Sequence, residues 1–304
     1  MWKRFIFAIL CAWMVSASWA APAVELAPGL SEAPLSGHLE ILEDPSGSLS
    51  LGEVQAATTW QPVAGMLNIG FTKSTIWVRL TVRQPSSTTA RWILSVDNVQ
   101  IDLVNFYAPD GQGGWTTQKA GRALAFSDWP MNARTPSFRL DVPPGEQVVY
   151  LSLRGYLTLS SAITLMTPEA FRISGNREAL FYGSYFGVYA VVIVLQLFFW
   201  LMGHQEKVSG WYFVYTLILM AGTLLNSGYP QNYFNLTTIL SSTLFGVYLC
   251  MAPSVIAKLT AVWLDLDKHA PLVSKLYQRA IYICSVITSA MVLANEHETG
   301  VKLS

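Results

Sequence analysis

The chain has 304 residues, a length that accommodates two ordinary domains. Charged residues make up only 12% of it, about half their usual share in soluble domains, and 52% of residues are hydrophobic, so neither a fully soluble enzyme nor a disordered chain fits this composition. The 19 basic and 19 acidic residues give a formal net charge of zero, and no overall positive field favours nucleic acid as a partner.

Residues 1–20 have the pattern of a secretory signal peptide. Lys3 and Arg4 precede an apolar stretch, and Ser18, Trp19 and Ala20 form a small-x-small cleavage site. The apolar stretch is short for a membrane span, which favours a cleaved signal over the alternative of an uncleaved anchor. We therefore expect the segment that follows residue 20 to be exported.

The exported segment, residues 21–172, predicts an antiparallel β-sandwich. Apolar and polar residues alternate between positions 76 and 82, which is the period of a strand with one apolar face. Further strands are predicted at 92–99, 101–107, 147–154 and 162–166, with turns at 109–114 and 143–146. Many short strands with few helix signals are typical of this fold class.

The polar side of these strands gives a candidate ligand-binding face. Trp77 and Arg79 share the polar face of one strand, and the polar faces of others carry Ser95, Asp97, Tyr150, Ser152 and Arg154. If the strands are neighbours, this face combines two guanidinium groups, a carboxylate and two aromatic rings, which suits a carboxylate or a sugar. The alternative is a solvated sheet face, on which an Arg79–Asp97 pair has little energetic consequence.

Apolar runs in the second half predict about four transmembrane helices. We expect them near 179–203, 209–227, 237–258 and 277–295, with a break where turn-forming residues cluster at 226–232. The fourth run reaches spanning length only if Tyr277 and Arg279 extend their polar ends to the interface. The transmembrane domain is therefore predicted at 179–295.

Basic residues set the predicted orientation. Lys207 lies between the first two runs, and Lys258, Lys268, Lys275 and Arg279 lie between or beside the last two, whereas the segment 226–235 has no lysine or arginine. The excess of basic residues in cytoplasmic loops places the sandwich outside. Four spans would return the C-terminus to the outside, so we expect no cytoplasmic output domain in this chain.

The remaining motifs point to packing rather than to catalysis. Gly183 and Gly187 lie on one face of the first span and predict the close approach of another helix, the alternative being ordinary membrane glycine. The first three spans carry no charged residue before Lys258 at the end of the third, which argues against an ion-coupled transporter. The four histidines are scattered and no catalytic motif is present, so we predict no enzyme, no cofactor and no metal site.

The order of these features resembles a known receptor family. Residues 74–80, Ser-Thr-Ile-Trp-Val-Arg-Leu, are similar to a strand of the type 2 extracellular sensor domain of bacterial seven-transmembrane receptors with diverse intracellular signalling modules. Residues 167–171 and 181–187 resemble its passage into the membrane helices, and the resemblance covers residues 38–295.

This resemblance implies a jelly-roll sandwich, similar to carbohydrate-binding modules, in the periplasm of a Gram-negative bacterium, and helices in its inner membrane. Members usually join seven helices to a cytoplasmic histidine kinase or cyclic di-GMP domain. The present sequence departs from that pattern, because only about four helices and no output domain are predicted in it.

Two functions fit the sequence. In the first, the sandwich binds a small extracytoplasmic ligand, a sugar or an organic anion, and a change at its junction with the helices alters their packing. In the second, the chain is a membrane-anchored interaction protein that works with a separate signalling partner. The lipid bilayer is a partner in both, and a homodimer is compatible with the first. Ligand titration and co-purification distinguish the two.

Overall fold

The computed structural model describes residues 21–155, 158–202, 207–234 and 238–303, and the predicted signal peptide lies outside them. The described residues form two compact units. The first unit contains the residues through Asp97 together with 104–118 and 138–167, and the second contains 98–103, 119–137 and all residues from Pro168 onwards. Two connecting loops of the predicted sandwich are therefore grouped with the helices.

The first unit is built from two β-sheets. Its described strands are β1 (Val24–Glu25), β2 (Glu32–Pro34), β3 (Leu39–Asp44), β4 (Gln61–Val63), β5 (Leu67–Phe71), β6 (Thr75–Gln84), β7 (Ala90–Asp97), β8 (Leu103–Pro109), β9 (Trp115–Ala120), β10 (Ser137–Val142), β11 (Gly145–Arg154) and β12 (Thr158–Met166). The larger sheet has the order β4-β3-β6-β11-β8-β9, and β1 pairs in parallel with the end of β6. The smaller sheet has the order β10-β7-β12-β2, and β5 pairs with β12.

The core lies between the two sheets. Phe106 of β8 stacks on Phe138 of β10 with ring centroids 5.3 Å apart, and both side chains are fully buried. Burial of such aromatic pairs supplies much of the hydrophobic stabilisation of a small domain. The predicted antiparallel β-sandwich is confirmed. The strand boundaries differ, because residues 98–102 form a loop and not the end of one strand and the start of the next.

A short helix that the sequence analysis did not predict follows β3. Helix α1 (Leu51–Ala56) begins with a capping box, in which the Ser50 hydroxyl accepts from the Glu53 backbone N–H and the Glu53 carboxylate accepts from the Ser50 N–H. Val54 of this helix is fully buried. The helix therefore contributes an apolar side chain to the first unit.

The second unit contains helices α2 (Pro168–Leu201), α3 (Lys207–Ser227), α4 (Tyr229–Phe234), α5 (Thr238–Trp263), α6 (Leu266–His269) and α7 (Pro271–Leu303). Among the described residues, three helical segments are long and apolar enough to cross a membrane: Pro168–Leu201, Lys207–Ser227 and Thr243–Trp263. Helix α2 begins well before the predicted residue 179, because proline and an acidic residue suit a helix N-terminus. The fourth predicted span lies within α7, and its crossing of the membrane stays a prediction.

A hydrogen bond connects α2 with α3, and a glycine allows α3 and α5 to pack closely. Gln196 of α2 is buried and donates to the Thr216 hydroxyl of α3 at 3.1 Å. A Cβ added at Gly222 of α3 would collide with the ring of Tyr248 on α5. By contrast, a Cβ at Gly183 or Gly187 would meet nothing within 4 Å. Close helix approach at these two glycines is thus not seen among the described residues, and their packing role stays a prediction.

Candidate functional site

The larger sheet brings together four of the predicted site residues. Strands β6 and β11 are antiparallel neighbours, with Trp77 opposite Ser152 and Arg79 opposite Tyr150. Since side chains two residues apart share one face of a strand, these four lie side by side on the sheet. Arg154 follows on the same face at the exposed end of β11.

Three tryptophans and two tyrosines gather on this face. The Trp60 and Trp115 rings lie 6.0 Å and 5.5 Å from the Tyr150 ring, and Trp77 stacks on Tyr107 at 5.5 Å. Val54 and Leu42 pack into the same cluster. We call the following set the aromatic face: Glu40, Trp60, Trp77, Arg79, Asn105, Tyr107, Trp115, Tyr150 and Ser152.

An ion pair lies at the centre of the aromatic face. Arg79 Nε donates to Glu40 Oε2 at 2.6 Å, and the guanidinium stands 4.6 Å from the centre of the Trp60 ring. The side chains of Glu40 and Arg79 are 8% and 25% exposed. Burial raises the pKa of the Tyr150 phenol, and the neighbouring Arg79 opposes this rise. Arg79 is therefore held by an anion, an aromatic ring and a phenol.

Two predicted site residues lie elsewhere. Ser95 and Asp97 belong to β7 in the smaller sheet, where they pair with Thr164 and Ala162 of β12. The grouping of these two with Trp77 is wrong, and so is the Arg79–Asp97 pair, because Arg79 pairs with Glu40. Alternation along a strand shows which residues share a face, but it does not show which sheet the strand joins. The alternative of a solvated face is also wrong here, since Trp77 is 4% exposed.

Several members of the aromatic face were missed at the sequence level. Asn105 and Tyr107 alternate along β8, a period that the sequence does show, but the choice between its two faces depends on the neighbouring strands. Trp60 and Glu40 come from outside the strands first considered. The Glu40–Arg79 contact joins residues that are distant in sequence, and no local pattern predicts such a pair.

Three buried polar atoms of the aromatic face lack a hydrogen-bond partner among the described residues. These are Trp60 Nε1, Trp77 Nε1 and Asn105 Oδ1, although the amide nitrogen of Asn105 does donate to Ser152 at 2.8 Å. Buried polar groups are nearly always hydrogen-bonded, because leaving one unpaired costs about 1–3 kcal/mol. These three atoms are shielded from solvent, whereas Tyr107, Trp115 and Arg79 stay partly exposed, and partly exposed aromatic side chains suit the apolar face of a sugar.

Metal-binding chemistry is not indicated within the described ranges. The His, Cys, Asp and Glu side chains described there form no group of three or more that could hold a metal ion.

Two family models match the chain. One, for the extracellular 2 domain of 7TMR-DISM proteins, matches residues 36–167, and the other, 7TM diverse intracellular signalling, matches residues 178–300. The chain belongs to the 7TMR-DISM receptor family. This confirms the resemblance seen in the sequence. A comparison of this 7TMR-DISM chain with curated proteins gave no match.

Solved structures similar to the 7TMR-DISM chain include three carbohydrate-binding modules. A Xyl-CBM35 in complex with a glucuronic acid-containing disaccharide is 14% identical and covers 45% of this chain and 91% of its own, with a TM-score of 0.24. The CBM35 of Cellvibrio japonicus Abf62 is 14% identical, covers 45% and 93%, and has a TM-score of 0.23. TmCBM61 in complex with β-1,4-galactotriose is 9% identical, covers 45% and 82%, and has a TM-score of 0.22. Similarity at this level carries no conclusion about a ligand.

Proposed function

We propose that this receptor chain senses a small extracytoplasmic ligand at the aromatic face and relays its binding to the membrane helices. The observation that carries the proposal is the cluster of aromatic rings around Arg79, in which Tyr107, Trp115 and the Arg79 side chain stay partly exposed. Family membership supports a sensor role, because the matching model of the N-terminal region describes an extracellular domain.

A sugar fits the aromatic face better than an organic anion does. A free guanidinium would favour a carboxylate through paired hydrogen bonds. Here, however, Arg79 already binds Glu40, and a second carboxylate would lie close to the first. The partly exposed side chains beside this pair, Tyr107 and Trp115, are aromatic and uncharged, and they suit the apolar face of a neutral sugar.

Signalling requires the ligand to distinguish two receptor states. A ligand that binds both states equally well shifts nothing, however tightly it binds. We infer that the sandwich lies in the periplasm and that the helices form a multi-pass domain in the inner membrane of a bacterium. The receptor is proposed to be a sensor and not an enzyme.

Titration of the full chain in lipid nanodiscs tests the proposal. The panel contains neutral monosaccharides and disaccharides, uronic acids and small organic anions, and binding is followed by calorimetry. We expect saturable binding of a neutral sugar, which Trp115→Ala weakens about tenfold through the loss of an aromatic contact. Trp263→Ala, on the exposed end of α5, is the matched control and leaves affinity unchanged. The proposal fails if no member of the panel saturates, or if Trp115→Ala binds as tightly as the control.

A further inference from the structure

Two loops between strands of the sandwich are part of the second unit. One, residues 98–103, follows β7 and leads into β8, and the other, residues 119–137, lies between β9 and β10. Within this unit, side chains from both loops reach the first half of α2 or the C-terminal end of α3. Neither the proposed ligand site nor the helix packing described above accounts for these contacts.

Arg134 makes the strongest of these contacts. Its Nε and Nη2 donate to the two carboxylate oxygens of Glu178 on α2 at 3.0 and 2.8 Å. Its guanidinium lies 5.5 Å from the centre of the Tyr182 ring, one turn further along the same helix. Nη1 points at the carbonyl of Ser227, the last residue of α3, at 3.5 Å. One largely buried loop side chain therefore holds two helices at once.

Gln100 in the other loop makes a second contact. Its Nε2 donates to Asn226 Oδ1 near the end of α3 at 3.2 Å. Its Oε1 accepts from Arg122 Nη1 at 2.8 Å, and Arg122 in turn donates to Asp102 at 2.7 Å. The side chains of Arg122 and Asp102 are 4% and 8% exposed. The buried ion pair with Asp102 fixes the orientation of the Arg122 guanidinium, and the hydrogen bond from Arg122 in turn orients the Gln100 side chain.

The turn after α3 leaves little room for movement. Gly228 has φ +83°, a conformation that favours glycine, and a Cβ there would lie 3.0 Å from the Val99 side chain. The Val99 side chain and the helix turn at Gly228 are thus close neighbours. A displacement of this loop would therefore have to move the turn or break the contacts beside it.

We propose that Arg134, Glu178, Gln100 and Asn226 form a joint through which a change in the sandwich is passed to the first two membrane helices. The inference rests on the proposed sensor function and specifies its relay. Chain connectivity supports it, because β8 carries Asn105 and Tyr107 of the aromatic face and begins at the end of the Gln100 loop. The bidentate Arg134–Glu178 geometry tolerates little displacement, so a shifted loop either moves α2 or releases it.

The first arm of the test needs no ligand. Hydrogen–deuterium exchange is measured by mass spectrometry on the full chain in nanodiscs. Arg134→Gln and Glu178→Gln are each expected to accelerate exchange about tenfold in residues 226–234, and the double variant is expected to add nothing further. The matched control is Arg172→Gln, which breaks the exposed Glu169–Arg172 pair within α2 and leaves that segment unchanged. Unchanged exchange in Arg134→Gln would overturn the proposal.

The second arm tests whether Arg134 transmits a change from the aromatic face to the helices or only stabilises the end of α3. Trp115→Ala disturbs the aromatic face directly, and it is expected to change exchange in residues 226–234 when Arg134 is present but not in the Arg134→Gln background. Equal responses in both backgrounds would also overturn the joint. The sugar and anion panel of the binding titration is run in parallel. If no member of that panel binds, the proposed ligand site fails, whereas the Trp115→Ala comparison still tests the joint.

Discussion

Replacement of Glu40 by glutamine tests whether the aromatic face is held together by its ion pair. The change keeps the size of the side chain but removes the charge that Arg79 Nε meets at 2.6 Å. Loss of one partner from a fully buried pair costs about 3–5 kcal/mol. Because a quarter of the Arg79 side chain reaches solvent, we expect a smaller loss of unfolding free energy, about 1–3 kcal/mol.

Thermal unfolding of the full chain measures this loss. Near-ultraviolet circular dichroism reports on the packed tryptophans of the aromatic face, and Glu40→Gln is expected to lower the Tm of the sandwich by about 3–10 °C. Glu43→Gln, on the same strand but exposed, is the matched control and is expected to cost less than about 0.5 kcal/mol. In an Arg79→Gln background the cost of Glu40→Gln should shrink. Equal Tm values for Glu40→Gln and Glu43→Gln would refute the reasoning.

Two further substitutions test other parts of the fold. Burial raises the pKa of Asp44, but hydrogen bonds from the Ser46 hydroxyl and three backbone N–H groups lower it by more, to below the ordinary 3.8. The carboxylate therefore stabilises the sandwich above about pH 4 and loses that effect as pH falls through the native pKa, so Asp44→Asn should unfold more easily at pH 7 and show a flatter acid dependence of Tm. Gly222→Ala, which places a Cβ against Tyr248, should lower the yield of monodisperse chain in detergent, whereas Gly210→Ala on the same helix should not.

The measurements on Asp44→Asn and Gly222→Ala can each contradict the reasoning behind the substitution. An Asp44→Asn chain with the wild-type slope of Tm between pH 3 and pH 7 would show that this carboxylate is not the titrating group. Wild-type yield and elution of Gly222→Ala would show that α3 and α5 separate without cost at this position.

The sequence predicted the sandwich because its signals are local. Alternation around Trp77, the turn at 109–114 and the prolines after Val142 depend on neighbours along the chain, and they identified most of the central strands. Helix α1 was missed although Ser50 and Glu53 form a capping box, because the helix spans only six residues and its apolar pattern is correspondingly short.

Assignment of strands to sheets depended on information that the sequence does not carry locally. Asp97 and Glu40 are both acidic residues on strands of the sandwich, and only the strand order shows that Glu40 is the partner of Arg79. The same limit applies to Arg134, which lies in a loop without a motif and binds Glu178 through a contact that spans 44 residues. Long-range ion pairs of this kind follow from tertiary packing, and they are where a structure adds most to a sequence. The consequence for this receptor is specific: the residues that would bind a ligand are partly readable from strand periodicity, whereas those that would relay its binding are not.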